Sequence, residues 1–175
     1  MLDDNIALPN MILLEDYNGN YDKYIKAVFD VFKRDFIDKK TRFRGEVLRL
    51  KWEPEFQNKA CTFYHMTHEG SDEQNRTPDL RRCERMPWAK PTIENCDSWG
   101  LKIWPQVRQG KGGTRNRLCL WLEFEAEPDY IVVLEVRETY KLLWTAFVPQ
   151  YPHEKRKKQK EYEDWLKTQK SPRHT

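Results

Sequence analysis

Between residues 21 and 40, apolar side chains return every three or four positions, at Tyr24, Ile25, Val28, Phe29, Phe32 and Phe36. This spacing predicts a helix with one buried stripe over Tyr21–Lys40. Asn20 is placed to cap it, and residues 1–20, with Pro9 and Asn18-Gly19-Asn20, form a lead-in and turn. The period then drops to two. Leu48, Leu50 and Trp52 alternate with Arg49 and Lys51, which predicts a strand ending at Pro54. Residues 60–67 fit a second strand, with Cys61, Phe63 and His65 on one face and Tyr64 and Met66 on the other. Residues 69–79 are a polar loop. Residues 80–96, broken by Pro87 and Pro91, predict a short helix or two interrupted turns. A short strand is expected over 98–105 and a mobile basic loop over 106–117. Three strands follow at 118–125, 130–137 and 141–148, joined by connections short enough to imply antiparallel neighbours. A basic helix over 153–169 ends the pattern.

This order predicts an α+β fold: an antiparallel sheet of about four to six strands with N-terminal, middle and C-terminal helices. The length of 175 residues favours one domain, with a core over 21–152 and a basic helix and tail over 153–175.

Composition adds three constraints. Leu, Ile, Val and Phe supply only about 22% of the chain, but seven Trp and eight Tyr add large buried surfaces, which argues against disorder. No apolar run approaches the ~18 residues of a membrane span, and Met1-Leu2-Asp3-Asp4 lacks the start of an export signal, so a cytoplasmic protein without membrane partners is expected. The net charge is +3, yet it is segregated. From residue 153 onward there are eight Lys and Arg against four Asp and Glu, a net of +4, leaving −1 for the rest. Such segregation suits a polyanion partner. The aromatic-rich, aliphatic-poor composition also hints that some Trp and Tyr line a subunit interface, with a homodimer as one expectation.

Cys61, Cys83, Cys96 and Cys119 contain no C-x-x-C pair. Cys61, His65, His68 and Cys83 can be drawn as a zinc site, but their spacing matches no standard finger, so buried free thiols are expected and no metal or cofactor is assigned. Gly110-Lys111-Gly112-Gly113 lacks the P-loop pattern.

Thr62-Phe63-Tyr64-His65, Arg82-Cys83-Glu84-Arg85-Met86-Pro87-Trp88, the strand pair at 118–124 and 130–137, and Leu143-Trp144-Thr145-Ala146-Phe147 together resemble prophage-encoded nucleases of the barnase–EndoU–colicin–RelE group. The resemblance covers roughly residues 20–160 and implies a small antiparallel-sheet nuclease acting on RNA without a metal. It implies His65 as acid or base, Arg82 and Arg85 as phosphate ligands, and Thr145 as a group that bonds phosphate or orients the histidine. Those residue types suit the chemistry. Imidazole titrates near neutral pH, and guanidinium bonds two phosphate oxygens at once. Arg81, Arg115, Arg117, Lys155, Arg156, Lys157 and Lys158 are candidate nucleic-acid contacts, while Trp88 and Trp144 are expected in the core. Bland roles compete: a half-buried histidine, surface ion pairs for the arginines, and a solvated helix end for the basic run. Two functions therefore stand side by side. One is a metal-independent ribonuclease. The other is a non-catalytic accessory protein that binds nucleic acid or nucleotides. A purely structural phage protein fits the composition but leaves the arginine cluster unused.

Overall fold

The period-two segments near the C-terminus build the centre of the fold. The computed structural model describes residues 6–170; the start of the chain, read above as lacking an export signal, and the last five residues of the basic tail lie outside the described residues. In chain order the strands are β1 (Arg42–Phe43), β2 (Glu46–Val47), β3 (Arg49–Leu50), β4 (His68–Glu69), β5 (Thr77–Pro78), β6 (Lys102–Gly110), β7 (Gly113–Leu122), β8 (Tyr130–Val136) and β9 (Lys141–Phe147). The helices are α1 (Tyr21–Phe32), α2 (Cys61–Thr67), α3 (Leu80–Glu84), α4 (Met86–Glu94) and α5 (Pro152–Lys170). The class is α+β. The main sheet runs β3-β9-β8-β7-β6. It is mixed rather than wholly antiparallel, because β3 lies parallel to β9, with Arg49 opposite Leu142. A parallel neighbour needs a long crossover, and everything from α2 to β8 lies between these two strands.

Alternation assigns the two faces. Leu120 and Leu122 on β7, and Tyr130, Val132 and Leu134 on β8, face the large core shared with α1, α2, α3 and α4. Cys119, Trp121, Ile131 and Val133 face the opposite way, where they join Trp104 and are covered by Tyr162 and Trp165 of α5. α1 forms where the spacing places it. The Asn20 side chain accepts a bond from the Lys23 amide at 3.1 Å, and Tyr24, Val28 and Phe32 are buried. The stripe continues to the buried Phe36 through a wider turn over Lys33–Asp38.

Three expectations change. Residues 60–67 are the helix α2, not a strand. Six of its seven residues are buried, so its composition has no solvent face from which to read a period. Its first amides are satisfied from outside: Cys61 N donates to the Trp52 carbonyl and Thr62 N to the Lys51 carbonyl, each at 3.0 Å. Residues 106–117 are not a loop but the outer half of the β6–β7 hairpin, closed by a two-residue turn between Gly110 and Gly113. Both faces of that half are polar because the ribbon projects into solvent, which removes the alternation that marks a half-buried strand. Residues 69–79 contain the β4–β5 ladder and a turn in which Asp72 accepts from the Gln74 amide at 3.0 Å and from the Asn75 side chain at 2.7 Å. The broken helix, the three-strand meander and the final helix stand as expected. Among the described residues no helix is long and apolar enough to cross a membrane.

Candidate functional site

α2 docks its start on the end of β3 and its side against β9, and this fixes His65. Cys61 and His65, four residues apart, share one face of the helix. A bulge in β9 completes the seat. Val133 pairs with Thr145 and Leu134 with Leu143, so Trp144 is the extra residue between them. The bulge brings the Trp144 ring edge-on to His65, with centroids 4.9 Å apart. It also brings Thr145 Oγ1 to 2.6 Å from the His65 carbonyl, to which it donates.

His65, Arg82 and Thr145 therefore do converge. Arg82 Nη1 donates to the His65 carbonyl at 3.0 Å and to Thr145 Oγ1 at 3.1 Å, while its Nε faces the helix-capping Asp79 at 3.3 Å. Both groups hold the backbone of His65 rather than its ring, so they are positioning residues in this arrangement. Thr145→Val keeps the shape and removes both the bond to the buried His65 carbonyl and the one accepted from Arg82, so it is expected to cost about 1–3 kcal/mol, seen as a lower urea midpoint. An unchanged midpoint would show that the two bonds carry no net stability.

Arg85 lies elsewhere. It is buried, bonds the Arg81 carbonyl and Glu84 at 3.3 Å each, and sits over the Trp88 ring. α3 ends at Glu84, so Arg82 and Arg85 do not continue on one helical face. Trp88 is in the core, as expected, whereas Trp144 is only partly buried.

The His65 ring faces a pocket of about 430 Å³, lined by Phe56, Cys61, Tyr64, His68, Glu73 and Arg76 among others. His65 Nε2 lies 3.4 Å from Glu73 Oε1 and 3.4 Å from Cys61 Sγ. Glu73 comes from the β4–β5 loop, and Lys51 Nζ contacts the same carboxylate oxygen at 2.8 Å. Arg76 Nε is buried and has no hydrogen-bond acceptor among the described residues. Burial, then the charges of Arg76 and Lys51, push the His65 pKa down to about 4 against a smaller opposing pull from Glu73. The imidazole is therefore neutral at pH 7. His68 is shifted down mainly by burial, and its Nδ1 lies 2.7 Å from Thr67 Oγ1. The hydrogen bond from Lys51 holds the Glu73 carboxyl below its usual range, and burial raises the Cys61 thiol.

Lys51, Glu73 and Arg76 are the site residues that the sequence alone missed. Had 60–67 been recognised as helix, the four-residue spacing of Cys61 and His65 would have marked the face on which to seek partners.

The candidate nucleic-acid contacts divide into free and engaged groups. Arg81 is exposed on α3. Arg115 and Arg117 flank the buried Glu135 at 3.5 and 3.6 Å, and Arg137 also contacts it. Lys155 pairs with Asp129 at 2.9 Å. Lys158 is buried against the sheet and pairs with Glu161 at 3.2 Å, whereas Arg156 and Lys157 are exposed. No protein-family model, curated protein or solved structure matches the chain.

Proposed function

We propose that the chain is a nucleic-acid-binding domain that cleaves RNA by metal-independent transesterification in the His65–Glu73 pocket. The observation that carries this is the meeting of a base pair with cations at one concave point. His65 and Glu73 stand 3.4 Å apart, with the charges of Lys51 and Arg76 beside them. The Arg76 guanidinium lines the same pocket, and its fork suits a phosphate oxygen. Tyr64 and Phe56, packed edge to face at the pocket wall, offer apolar surface to a base.

In the reaction, neutral His65 takes the proton of the ribose 2′-OH. The 2′-oxygen attacks phosphorus and the bond to the 5′-oxygen breaks, leaving a cyclic phosphate. Glu73 stabilises the imidazolium formed in the first step, and Lys51 and Arg76 offset the charge on the phosphorane. The same imidazolium returns its proton to the departing 5′-oxygen. Arg82 and Thr145 keep the His65 backbone in place throughout.

The test is incubation with single-stranded RNA and with DNA of matching sequence, both in EDTA. RNA is cut and DNA stays intact, because the attacking hydroxyl is missing from DNA. Cutting of both, or of neither, contradicts the proposal.

The exposed part of α5 is the electrostatic contact in this scheme. Removing Arg156 and Lys157 together is expected to weaken RNA binding uniformly across sequences. The slope of log affinity against log salt should fall by about 1.4, given roughly 0.7 per phosphate contact on single strands. Lys158→Ala should leave the slope unchanged because Lys158 faces the sheet. Equal effects from both variants in salt titrations would overturn the division.

A further inference from the structure

Cys61, His65 and Glu73 carry a second chemistry that the cleavage scheme does not use. Their donor atoms form a triangle with edges of 3.4 Å between Cys61 Sγ and His65 Nε2, 3.4 Å between His65 Nε2 and Glu73 Oε1, and 3.9 Å between Cys61 Sγ and Glu73 Oε1. Tetrahedral zinc with bonds of about 2.3 Å to sulfur and about 2.0–2.2 Å to nitrogen and oxygen requires donor separations of roughly 3.4–3.6 Å. Two edges match and the third needs a shift of a few tenths of an ångström, which the Glu73 carboxylate, on a loop and partly exposed, can supply.

We propose that Cys61 Sγ, His65 Nε2 and a Glu73 carboxylate oxygen form a site for a zinc-class divalent metal ion, with its fourth position open to the pocket. The ligand types are right for the class: one thiolate, one imidazole and one carboxylate, each accepted by zinc. Two of them are locked by the fold. Cys61 and His65 are one helical turn apart on α2 and both are buried, so their separation is fixed before any ion arrives. The His65 backbone is held by Thr145 and Arg82, which plays the part that outer groups play around metal ligands. Lys51 and Arg76 oppose a bare cation. The thiolate and carboxylate together carry two negative charges, however, so the occupied centre is neutral to these neighbours. On binding, the Cys61 thiol gives its proton to solvent, and the Lys51 ammonium moves from the shared Glu73 oxygen to the other one or to water.

Metal and RNA then compete for His65, so zinc acts as a brake on cleavage; this consequence rests on the cleavage reading, whereas the site does not. The full chain, stripped with a chelator and desalted, is titrated with Co²⁺ in the absence of RNA. One equivalent should bind with a thiolate-to-cobalt charge-transfer band and tetrahedral visible absorption, and Zn²⁺ should displace it. Cys61→Ser should abolish the band. Glu73→Gln, a change on a partly exposed loop residue that leaves the core intact, should weaken binding by at least about tenfold. Cys119→Ser, which changes a buried thiol on the other face of the sheet, should keep the band. Absence of the band in the wild-type chain, or its survival in Cys61→Ser, would overturn the site. In RNA assays zinc should suppress cleavage, EDTA should restore it, and the fractional inhibition should vanish in Cys61→Ser. Wild-type cleavage that zinc leaves unchanged would overturn the brake, while cobalt binding without any RNA cleavage would overturn the cleavage reading and leave the metal site standing.

Discussion

His65→Ala is expected to lower the rate of RNA cleavage by about 10²–10⁴-fold, the usual contribution of a positioned acid–base group. The loss should fall on the chemical step and leave RNA affinity within a few-fold. The proposal assigns phosphate attraction to Lys51 and Arg76, while His65 is neutral in the free protein at pH 7. Glu73→Gln should fall in the same direction by less, since it removes the stabiliser of the imidazolium and not the base itself. Single-turnover cleavage together with filter binding separates the two effects. A His65→Ala protein that binds RNA far more weakly yet cuts it at the wild-type rate when saturated would assign His65 to binding instead.

The second large effect is on stability. Glu135 is 1% exposed and faces Arg117 directly across the β7–β8 register, with Arg115 and Arg137 also in contact. Its carboxylate has ion pairs on three sides but no hydrogen bond of good geometry. Glu135→Gln keeps the volume and leaves Arg117, 21% exposed, without its anion and with the Trp144 ring face beside it. Breaking a buried pair by removing one partner costs about 3–5 kcal/mol. Arg115 and Arg137 are each 38% exposed and can turn to water, so the low end, about 3 kcal/mol, is expected. For a domain of this size that is a fall in Tm of roughly 6–12 °C. The same variant should bind RNA more tightly, because three arginines lose their internal anion. Thermal melts and binding assays on one sample check both halves; an unchanged Tm would show that the cluster is held by its solvent-exposed members.

The legible parts of the chain are those whose pattern has a clear period or clear bounds. The Tyr24–Phe36 stripe and its Asn20 cap are legible because polar positions mark their period, while β8, buried on both faces, is legible as a short apolar run bounded by turns. α2 is not, because burial on every side leaves an alternation of aromatic and polar residues that mimics a strand. The outer β6–β7 ribbon failed for the opposite reason, being wet on both faces. The same two failures explain the site. The resemblance implies His65, Arg82 and Thr145 together; Thr145 holds the histidine, one of its two expected roles, while Arg82, expected on a phosphate, bonds the His65 carbonyl instead. The ring's own partners, Lys51, Glu73 and Arg76, come from a strand end and a polar loop, and their meeting depends on the β4–β5 ladder, which no local pattern announces. The resemblance pairs Arg85 with Arg82 one helical turn apart, but α3 ends at Glu84, between them, and Arg85 turns away. The basic run at 155–158 was read as one patch, yet packing of α5 on the sheet turns Lys158 inward and ties Lys155 to Asp129.

The most direct test is the chemistry of the product ends. End-labelled RNA incubated with the wild-type chain in EDTA should yield fragments carrying 2′,3′-cyclic phosphate and a free 5′-hydroxyl. Intact RNA, or fragments with 5′-phosphate ends, would contradict the account.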